Sequence, residues 1–234
     1  MVKVSVIIPT LNEEWRLPGC MDSLAAQTFK DFEIVVVDSG SEDDTVALAK
    51  KRGAKVFYEP RLGFAVAKNF GASEADGGIL VFNDADSLHP PDWLAKIVEH
   101  FAWRDVVAVL GPIKPIEKGL MHQVMFTITT DWVPRITAMF GFYVAQASNQ
   151  AFRKNAFMKV GGYDERLRML EDNELPNRIK RAGKVVFDPN IWVYSSARRY
   201  EKEGYFKATK RFLEAYWKIY VQKKSAAEDY PLYR

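Results

Sequence analysis

The sequence is poor in the residues that build disulfide scaffolds, metal clusters and membrane spans. It has one cysteine, Cys20, among 234 residues, which excludes an internal disulfide and any site made of several cysteines. The histidines His89, His100 and His122 show no ligand-like spacing, so we expect no histidine-rich zinc site. Polar and charged residues interrupt the longest apolar stretch, residues 119–147, which therefore lacks the roughly 18 uninterrupted apolar residues of a membrane-spanning helix.

A strong charge of one sign and a glycine-rich phosphate loop are lacking too. Lys and Arg number 33 against 30 Asp and Glu, and the net charge of +3 is too weak to predict a nucleic-acid-binding protein. Neither G-x-x-x-x-G-K-[ST] nor G-x-G-x-x-G occurs, which excludes the Walker-type and dinucleotide-binding loops. The chain begins with MVKVSVIIPT, which is not a signal-peptide pattern, so we expect a cytoplasmic protein.

The first half of the chain alternates apolar runs with segments of helical periodicity. Continuous apolar runs bounded by turn residues are typical of strands that are covered on both faces, as in a parallel sheet. The predicted strands are residues 4–8, 32–37, 55–58 and 79–82, and the predicted helices between them are residues 14–27, 43–53 and 63–75. This order predicts an α/β fold with an open, twisted, mostly parallel sheet flanked by helices.

The second half follows a less regular pattern. Residues 106–110 and 142–147 are predicted strands, and so are the segments KVVFD and IWVYS. Predicted helices cover residues 119–140, 172–182 and 203–223, the last being amphipathic with an aromatic stripe. No linker separates the halves, which favours one domain.

Polar side chains follow three of the predicted strands. These strand ends carry Pro9, Thr10, Leu11, Asn12 and Glu13, then Asp38 and Ser39, and finally Asp84, Ala85 and Asp86. Ligands bind at this edge of open α/β sheets, so the three groups should converge. Asp38 could accept a hydrogen bond from a nucleotide base or ribose, or could close an Asx turn. Asp84 and Asp86 could hold Mg²⁺ or Mn²⁺, or could cap their loop.

Five segments in order make the combination more specific than its parts. They are VSVIIPTLNEE, VVVDSGSEDDT, GFAVAKNFGAS, VFNDADS and GGYDERLRMLEDNEL. Together they closely resemble a family 2 glycosyltransferase with the GT-A fold, over about residues 1–193. The resemblance implies a domain at 1–197, with a nucleotide-binding half (1–110) and an acceptor and catalytic half (111–197). Residues 198–234 would then form a basic, aromatic helical extension packed on it.

The resemblance also implies a role for each matching residue. The loop of residues 9–13 would wrap the base and ribose of a UDP- or GDP-sugar donor, Asp38 with Ser39 would read the base, and Lys68 would lie near the base or phosphates. Asp84, Ala85 and Asp86 match the DxD element, whose carboxylates hold a divalent cation on the diphosphate. Glu171 and Asp172 match the catalytic acidic pair, in which Asp172 is the general base of an inverting transfer; helix capping is the alternative reading of Asp172.

Two features depart from the family pattern or extend it. Many relatives have a histidine metal ligand after the acidic pair, whereas this region carries Arg198 and Arg199. These arginines could contact the diphosphate or form a solvated basic turn. The terminal helix could lie on an anionic membrane surface, which suits a lipid-linked acceptor as well as a glycan, or could pack its aromatic stripe on the domain.

Two other functions stay open at this point. A sugar nucleotidyltransferase has a similar nucleotide-binding sheet, but it would need a glycine-rich, basic loop in place of PTLNEEWRLPG. A non-catalytic carbohydrate-binding or scaffold module could keep the fold, although retention of Asp84, Asp86 and Asp172 argues against it.

Overall fold

The computed structural model describes residues 3–222, apart from the side chains of Arg199, Lys202 and Val221. A seven-stranded sheet in the order β3-β2-β1-β4-β7-β5-β8 forms its centre, and β6 and β9 pair as a separate two-stranded sheet. The strands are β1 (Val4–Thr10), β2 (Phe32–Asp38), β3 (Lys55–Tyr58), β4 (Ile79–Phe82), β5 (Val106–Leu110), β6 (Ile113–Pro115), β7 (Gln150–Arg153), β8 (Lys184–Phe187) and β9 (Val193–Ser195).

The large sheet is parallel except at β7, which runs antiparallel to both of its neighbours, β4 and β5. The predicted mostly parallel α/β fold is therefore confirmed. Continuous apolar strands pair here because helices cover both faces and leave no face for polar side chains. In β1, Val4, Val6 and Ile8 join one core while Ile7 joins the other.

Helices pack against both cores. They are α1 (Leu17–Ala25), α2 (Thr45–Lys51), α3 (Phe64–Glu74), α4 (Trp93–His100), α5 (Leu120–Phe126), α6 (Val133–Met139), α7 (Lys154–Lys159), α8 (Glu171–Ile179), α9 (Arg198–Glu203) and α10 (Tyr205–Tyr216). Residues from α1 and α4 contribute to the first core, and residues from α3, α7 and α8 contribute to the second. Gly71 lets α3 lie against the sheet, because a Cβ there would come within 2.6 Å of Ile7 Cγ2.

A long helical segment follows the small strand β6. A π-helical turn, Thr127–Trp132, joins α5 to α6, and a second π-helical turn, Trp217–Val221, continues α10. π-Helical turns are rare and occur mostly as single turns inside α-helices, frequently at functional sites. Among the described residues, no helix is both long enough and apolar enough to cross a bilayer.

Three of the differences between predicted and observed elements have an identifiable cause. The predicted strand at 142–147 is wrong, because side chains of α8 take up its backbone groups: Asn177 Oδ1 accepts from Tyr143 N–H, and Asn173 Oδ1 accepts from Ala145 N–H. The strand in this part of the chain is β7, which begins a few residues later.

The two helix corrections have local causes. The first predicted helix, residues 14–27, is shorter as α1, with proline in its first turn. Gly204, at φ 80°, divides the predicted terminal helix into α9 and α10, and the predicted end at residue 223 lies outside the described residues.

Candidate functional site

The polar strand ends converge as their order in the sheet requires. Pairing of β1 with β2 sets Thr10 opposite Asp38, and the Thr10 hydroxyl donates to Asp38 Oδ1 at 3.1 Å. The loops that follow are joined by hydrogen bonds: Asn12 N–H donates to Ser41 Oγ at 2.8 Å, and Glu13 N–H donates to Thr45 Oγ1 at 2.8 Å. These bonds fix the shape of the loop that was predicted to bind the nucleotide.

The residues of that loop differ in exposure. Pro9 and Thr10 are buried within β1, Leu11 and Glu13 are half-buried, and Asn12 is exposed with a left-handed φ of 56°. Such a φ is uncommon outside glycine and is tolerated best by asparagine and aspartate. The loop therefore presents Asn12 to solvent and directs Glu13 toward the rest of the site.

Asp38 is buried beneath the same loop and is fully engaged with it. Its Oδ2 accepts from the N–H groups of Gly40 and Ser41, at 3.0 and 2.9 Å, and its Oδ1 accepts from the hydroxyls of Ser41 and Thr10. The Asx turn that the sequence left open is therefore present. Ser39 is half-buried, with its N–H bonded to the Thr10 carbonyl. The base-reading role of Asp38 stays a prediction.

Two cationic side chains flank the carboxylates after β4. The ammonium of Lys68, completely buried on α3, lies 4.0 Å from Asp84 Oδ1, and Arg198 lies 3.4 Å from Asp86 Oδ2. Ala85, between the two aspartates, is buried in the core. Burial, followed by repulsion from Asp84, raises the pKa of Asp86 to about 6, and the Arg198 charge opposes that rise. Asp84 and Asp86 thus carry negative charge that Lys68 and Arg198 neutralise only in part.

Arg198 joins distant parts of the chain at this edge. The same Nη2 donates to Glu13 Oε1 at 3.1 Å and pairs with Asp86, so one guanidinium bridges the β1 loop and the β4 loop. Ser195 Oγ also donates to Asp86 Oδ1, at 3.5 Å. Arg198 is therefore not part of a solvated turn, whereas the side chain of Arg199 lies outside the described residues.

The acidic pair lies at the start of α8, on a left-handed turn. Leu170, at φ 62°, precedes Glu171, and left-handed backbone is rare for a non-glycine residue such as leucine. Both carboxylates line the same cavity, with Glu171 buried and Asp172 half-buried. Burial and then the Asp172 charge raise the pKa of Glu171, while Lys68 acts in the opposite direction.

Side chains that sequence reasoning missed hold Asp172 in place. Asn173 Nδ2 donates to Asp172 Oδ1 at 2.6 Å, and Asn173 Oδ1 accepts from the hydroxyl of Tyr216 on α10 at 2.5 Å. Behind the helix, Tyr163 donates to Gln150 Oε1, and Gln150 donates to the Asp172 carbonyl at 2.7 Å. No motif marked these residues, although Tyr163 and Asn173 lie within the segment that carries the acidic pair.

The loop before α8 is held by a close contact with α3. Asn69 accepts from Tyr163 N–H at 2.8 Å and donates to the Tyr163 carbonyl at 2.9 Å. Gly162, at φ 67°, leaves room for this amide, because a Cβ there would collide with Asn69 Oδ1. Asn69 therefore links the α3 motif to the acidic pair by packing and hydrogen bonds.

One cavity of about 430 Å³ is lined by both acidic pairs and by Arg198, whereas Asp38, Lys68 and the loop of residues 9–13 are not among its lining residues. Its floor includes Asp84, Asp86, Glu171, Asp172 and Arg198. Its walls come from the helical segment between β6 and β7 and from α10, with Met125, Thr129, Val133, Thr209 and Leu213 among them. An acidic floor beneath mostly apolar walls suits a ligand with one polar, reactive end and one apolar end.

The donor set fits a hard divalent cation with incomplete protein coordination. In the described chain, no cluster of three histidine, cysteine, aspartate or glutamate side chains could hold a metal ion. Asp84 and Asp86 supply carboxylate oxygens, and Mg²⁺-type sites commonly use one or two carboxylates with water and substrate phosphates. Arg198 occupies a cation position beside Asp86. The residues present therefore fit such an ion only together with a ligand that brings further oxygens.

Comparison with known proteins identifies the family of the chain. The profile described as Glycosyl transferase family 2 matches residues 5–161, from β1 through α7, and so includes the polar ends of β1, β2 and β4. The chain belongs to glycosyl transferase family 2. The resemblance read from the five sequence segments is thereby confirmed.

Relatives within glycosyl transferase family 2 come from several bacteria. The "PGL/p-HBAD biosynthesis glycosyltransferase" of Mycobacterium bovis is 32% identical over 183 residues, which are 72% of this chain and 66% of that protein. An uncharacterized glycosyltransferase of Rickettsia typhi is 25% identical over 96% of this chain and 73% of its own length. The chain thus spans slightly less than two thirds of the mycobacterial relative.

Solved structures show the same fold. A mannosyltransferase from Pyrobaculum calidifontis, in complex with GDP-Man and Mn²⁺, superposes with a TM-score of 0.69 at 21% identity, covering 97% of this chain and 66% of that one. S. aureus TarS with UDP-GlcNAc gives a TM-score of 0.68 at 23% identity, covering 84% of this chain and 59% of that one. The GT-A fold expected from the family 2 resemblance is therefore confirmed.

Proposed function

We propose that the protein is an inverting glycosyltransferase that moves a sugar from a UDP- or GDP-sugar donor to an acceptor hydroxyl. The observation that carries this proposal is the shared cavity, in which the Asp84 and Asp86 carboxylates and the Asp172 carboxylate face one space. Nucleotide sugars bound to the two solved neighbours support the donor class. The acceptor is a glycan or a lipid-linked molecule.

The donor lies, in this proposal, along the edge formed by the β1, β2 and β4 ends. The loop of residues 9–13 and Asp38 hold the nucleoside, and Arg198 lies where it would meet the diphosphate. The buried ammonium of Lys68, 4.0 Å from Asp84, adds positive charge near that position. Asp84 and Asp86 hold a Mn²⁺ or Mg²⁺ ion, which neutralises charge on the leaving diphosphate when it is bound. A planar guanidinium contacts phosphate oxygens well, so we expect Arg198 to leave Asp86 for the diphosphate.

Asp172 is the proposed general base. The acceptor hydroxyl loses its proton to the Asp172 carboxylate as its oxygen bonds to the anomeric carbon of the sugar, and the bond from that carbon to the diphosphate oxygen breaks, leaving its electron pair on the diphosphate. A positioned base within about 2.6–3.2 Å of the hydroxyl can accept this proton. Asp172 lies in the first turn of α8, where the positive end of the helix dipole attracts a carboxylate.

A ligand screen tests the whole assignment. We expect UDP- or GDP-sugars to raise the unfolding temperature in the presence of Mn²⁺, because ligands that bind only the folded state stabilise it. Slow donor hydrolysis in the same mixtures, lost in EDTA, would separate a catalyst from a binding module. Stabilisation by nucleoside triphosphates with release of pyrophosphate would instead favour a nucleotidyltransferase.

Replacing Asp38 with alanine should weaken nucleotide binding irrespective of the sugar. The residue acts on the nucleoside side, both by any contact with the base and by the four hydrogen bonds that shape the loop. Calorimetry with UDP, GDP and their sugars should show a similar fold loss of affinity for every nucleotide that the wild type binds. A variant that keeps nucleotide affinity and loses only sugar discrimination would contradict this placement.

Binding of Mn²⁺ should weaken as the pH falls through about 6, where Asp86 becomes protonated. The ionised carboxylate binds the ion, so the affinity for Mn²⁺ is retained above this pKa. Well below it, the affinity falls by up to about tenfold for each pH unit. Calorimetric titration with Mn²⁺ in the presence of a saturating nucleotide sugar, whose diphosphate diester does not titrate between pH 5 and pH 7.5, measures the effect. A flat profile over that range would contradict the assignment of Asp86 as a metal ligand.

A further inference from the structure

The helical segment beside the cavity has an exposed apolar stripe. Positions four residues apart in residues 120–140 are large and apolar, and i, i+4 residues are neighbours on a helix surface. The stripe consists of Leu120, Val124, Ile128, Trp132, Ile136 and Phe140. Each of these side chains is between 44% and 83% exposed. Soluble monomers rarely leave such a continuous apolar surface in water.

The C-terminal helix adds a second exposed apolar face. Phe206, Leu213 and Trp217 are 87%, 65% and 58% exposed, so these three residues of the stripe are not packed on the domain. The inward half of the aromatic stripe does pack, since Tyr216 and Tyr220 contact Phe142. The helix therefore has one side on the domain and the other side free of it.

The helical segment and α10 also line the catalytic cavity. Val133, half-exposed on the helical segment, and Leu213, on α10, line the cavity and are also exposed to solvent. An apolar groove along the outside of α10 shares Thr209 and Leu213 with the cavity wall. An apolar path thus leads from the protein surface to the carboxylates on the cavity floor.

The charge around this surface is positive on the C-terminal side. Residues 205–222 contain four basic side chains, Lys207, Lys210, Arg211 and Lys218, against the single acid Glu214. Lys210 lies 3.9 Å from Glu214, and Arg211 pairs with Glu203 at 2.5 Å. On the helical segment, Asp131 and Arg135 pair with each other at 2.5 Å and cancel. Basic residues beside exposed tryptophan, phenylalanine and leucine are typical of helices that lie in an anionic membrane interface.

We infer that the acceptor is a lipid in an anionic membrane, that the two exposed apolar faces dock on that membrane, and that the acceptor's chain occupies the apolar walls of the cavity. This inference rests on the proposed function, since it needs the carboxylates on the cavity floor to act on the lipid's hydroxyl end. The apolar walls then bind the chain of a molecule whose polar end reaches Asp172.

Vesicle binding tests the docking surface. We expect the protein to sediment with vesicles that contain phosphatidylglycerol, less with phosphatidylcholine alone, and less as salt rises. Trp132→Gln and Trp217→Gln should each lower the partition coefficient by roughly tenfold or more, because a large apolar side chain leaves the interface. Trp103→Gln is the matched control, since Trp103 is 71% exposed, slightly more than Trp132 and Trp217, but lies beside the opposite ends of the strands.

Alkyl glucosides test the cavity without knowledge of the natural acceptor. Below micelle-forming concentrations, each methylene from methyl to octyl β-glucoside that enters the cavity should strengthen binding by about fourfold. Val133→Asp, on the cavity wall, should abolish this dependence on chain length. Val124→Asp, on the same segment but facing solvent, should keep it and weaken only vesicle binding.

The two sets of measurements separate the inference from the proposed function. Equal affinity for methyl and octyl glucoside, or no binding of the wild type to vesicles, overturns the lipid inference even if donor turnover is normal. A protein that is dimeric in sedimentation equilibrium, and that Trp132→Gln makes monomeric, would assign the exposed faces to a second copy instead. Binding to vesicles and to the alkyl chains of the glucosides, without any donor turnover, would contradict the proposed function and remove the catalytic part of the inference.

Discussion

Replacing Asp172 with asparagine is expected to lower sugar transfer by about 10²–10⁴-fold, the range associated with loss of a general base. Asparagine keeps the size of the side chain but carries no charge to accept a proton. The hydrogen bond from Asn173 to Asp172 Oδ1 can persist on the amide oxygen, so the start of α8 should keep its geometry. Donor affinity should stay unchanged because, in the proposed arrangement, other residues bind the nucleoside and the diphosphate.

Two measurements check this expectation. Single-turnover transfer to the acceptor reports the chemical step, and calorimetry with the nucleotide sugar reports donor binding. Asp105→Asn is the matched control, because it makes the same change at an exposed position beside the opposite ends of the strands. Near-normal transfer by Asp172→Asn would remove Asp172 from the mechanism. A larger loss in Glu171→Gln, with Asp172→Asn nearly active, would assign the base to Glu171.

Replacing Asp86 with alanine is expected to remove the part of donor affinity that depends on Mn²⁺. The loss should be roughly 100-fold or more, because even outer-shell partners of metal ligands cost about 10–100-fold in affinity or activity. Binding by the wild type in EDTA sets the lower limit that the variant should reach. Calorimetry with the UDP- or GDP-sugar that binds, with Mn²⁺ and then with EDTA, measures both values.

The same substitution should leave the fold intact. A carboxyl group whose pKa is raised in the folded state favours its protonated form there, so its ionised form at pH 7 contributes no net stability. Arg198 keeps its bond to Glu13 when Asp86 is removed. Cooperative unfolding at an unchanged or higher temperature is therefore expected, with Asp31→Ala, an exposed aspartate, as the control. Equal donor affinity with Mn²⁺ and with EDTA in the wild type would contradict the cation proposal.

The sequence alone determined the edge of the sheet at which the proposed nucleotide site lies. Runs such as Ile79–Phe82 are apolar at every position, which is possible only where both faces of a sheet are covered, and the predicted strand matches β4 at both ends. Parallel strands place their carboxyl ends at one edge, so the proximity of Thr10 and Asp38 followed from strand order. The five ordered segments then identified the family.

The tertiary structure alone decided what surrounds that edge. Arg198 meets Glu13 across 185 positions of sequence separation, and Tyr216 reaches Asn173 from another helix, contacts that no local pattern encodes. The predicted strand at 142–147 failed for the same reason, because amide side chains from α8 took the place of a neighbouring strand. Helical periodicity likewise shows that Trp132 and Trp217 lie on apolar faces, but only packing decides whether another element covers such a face. Here none of the described residues does so fully, and both side chains remain more than half exposed.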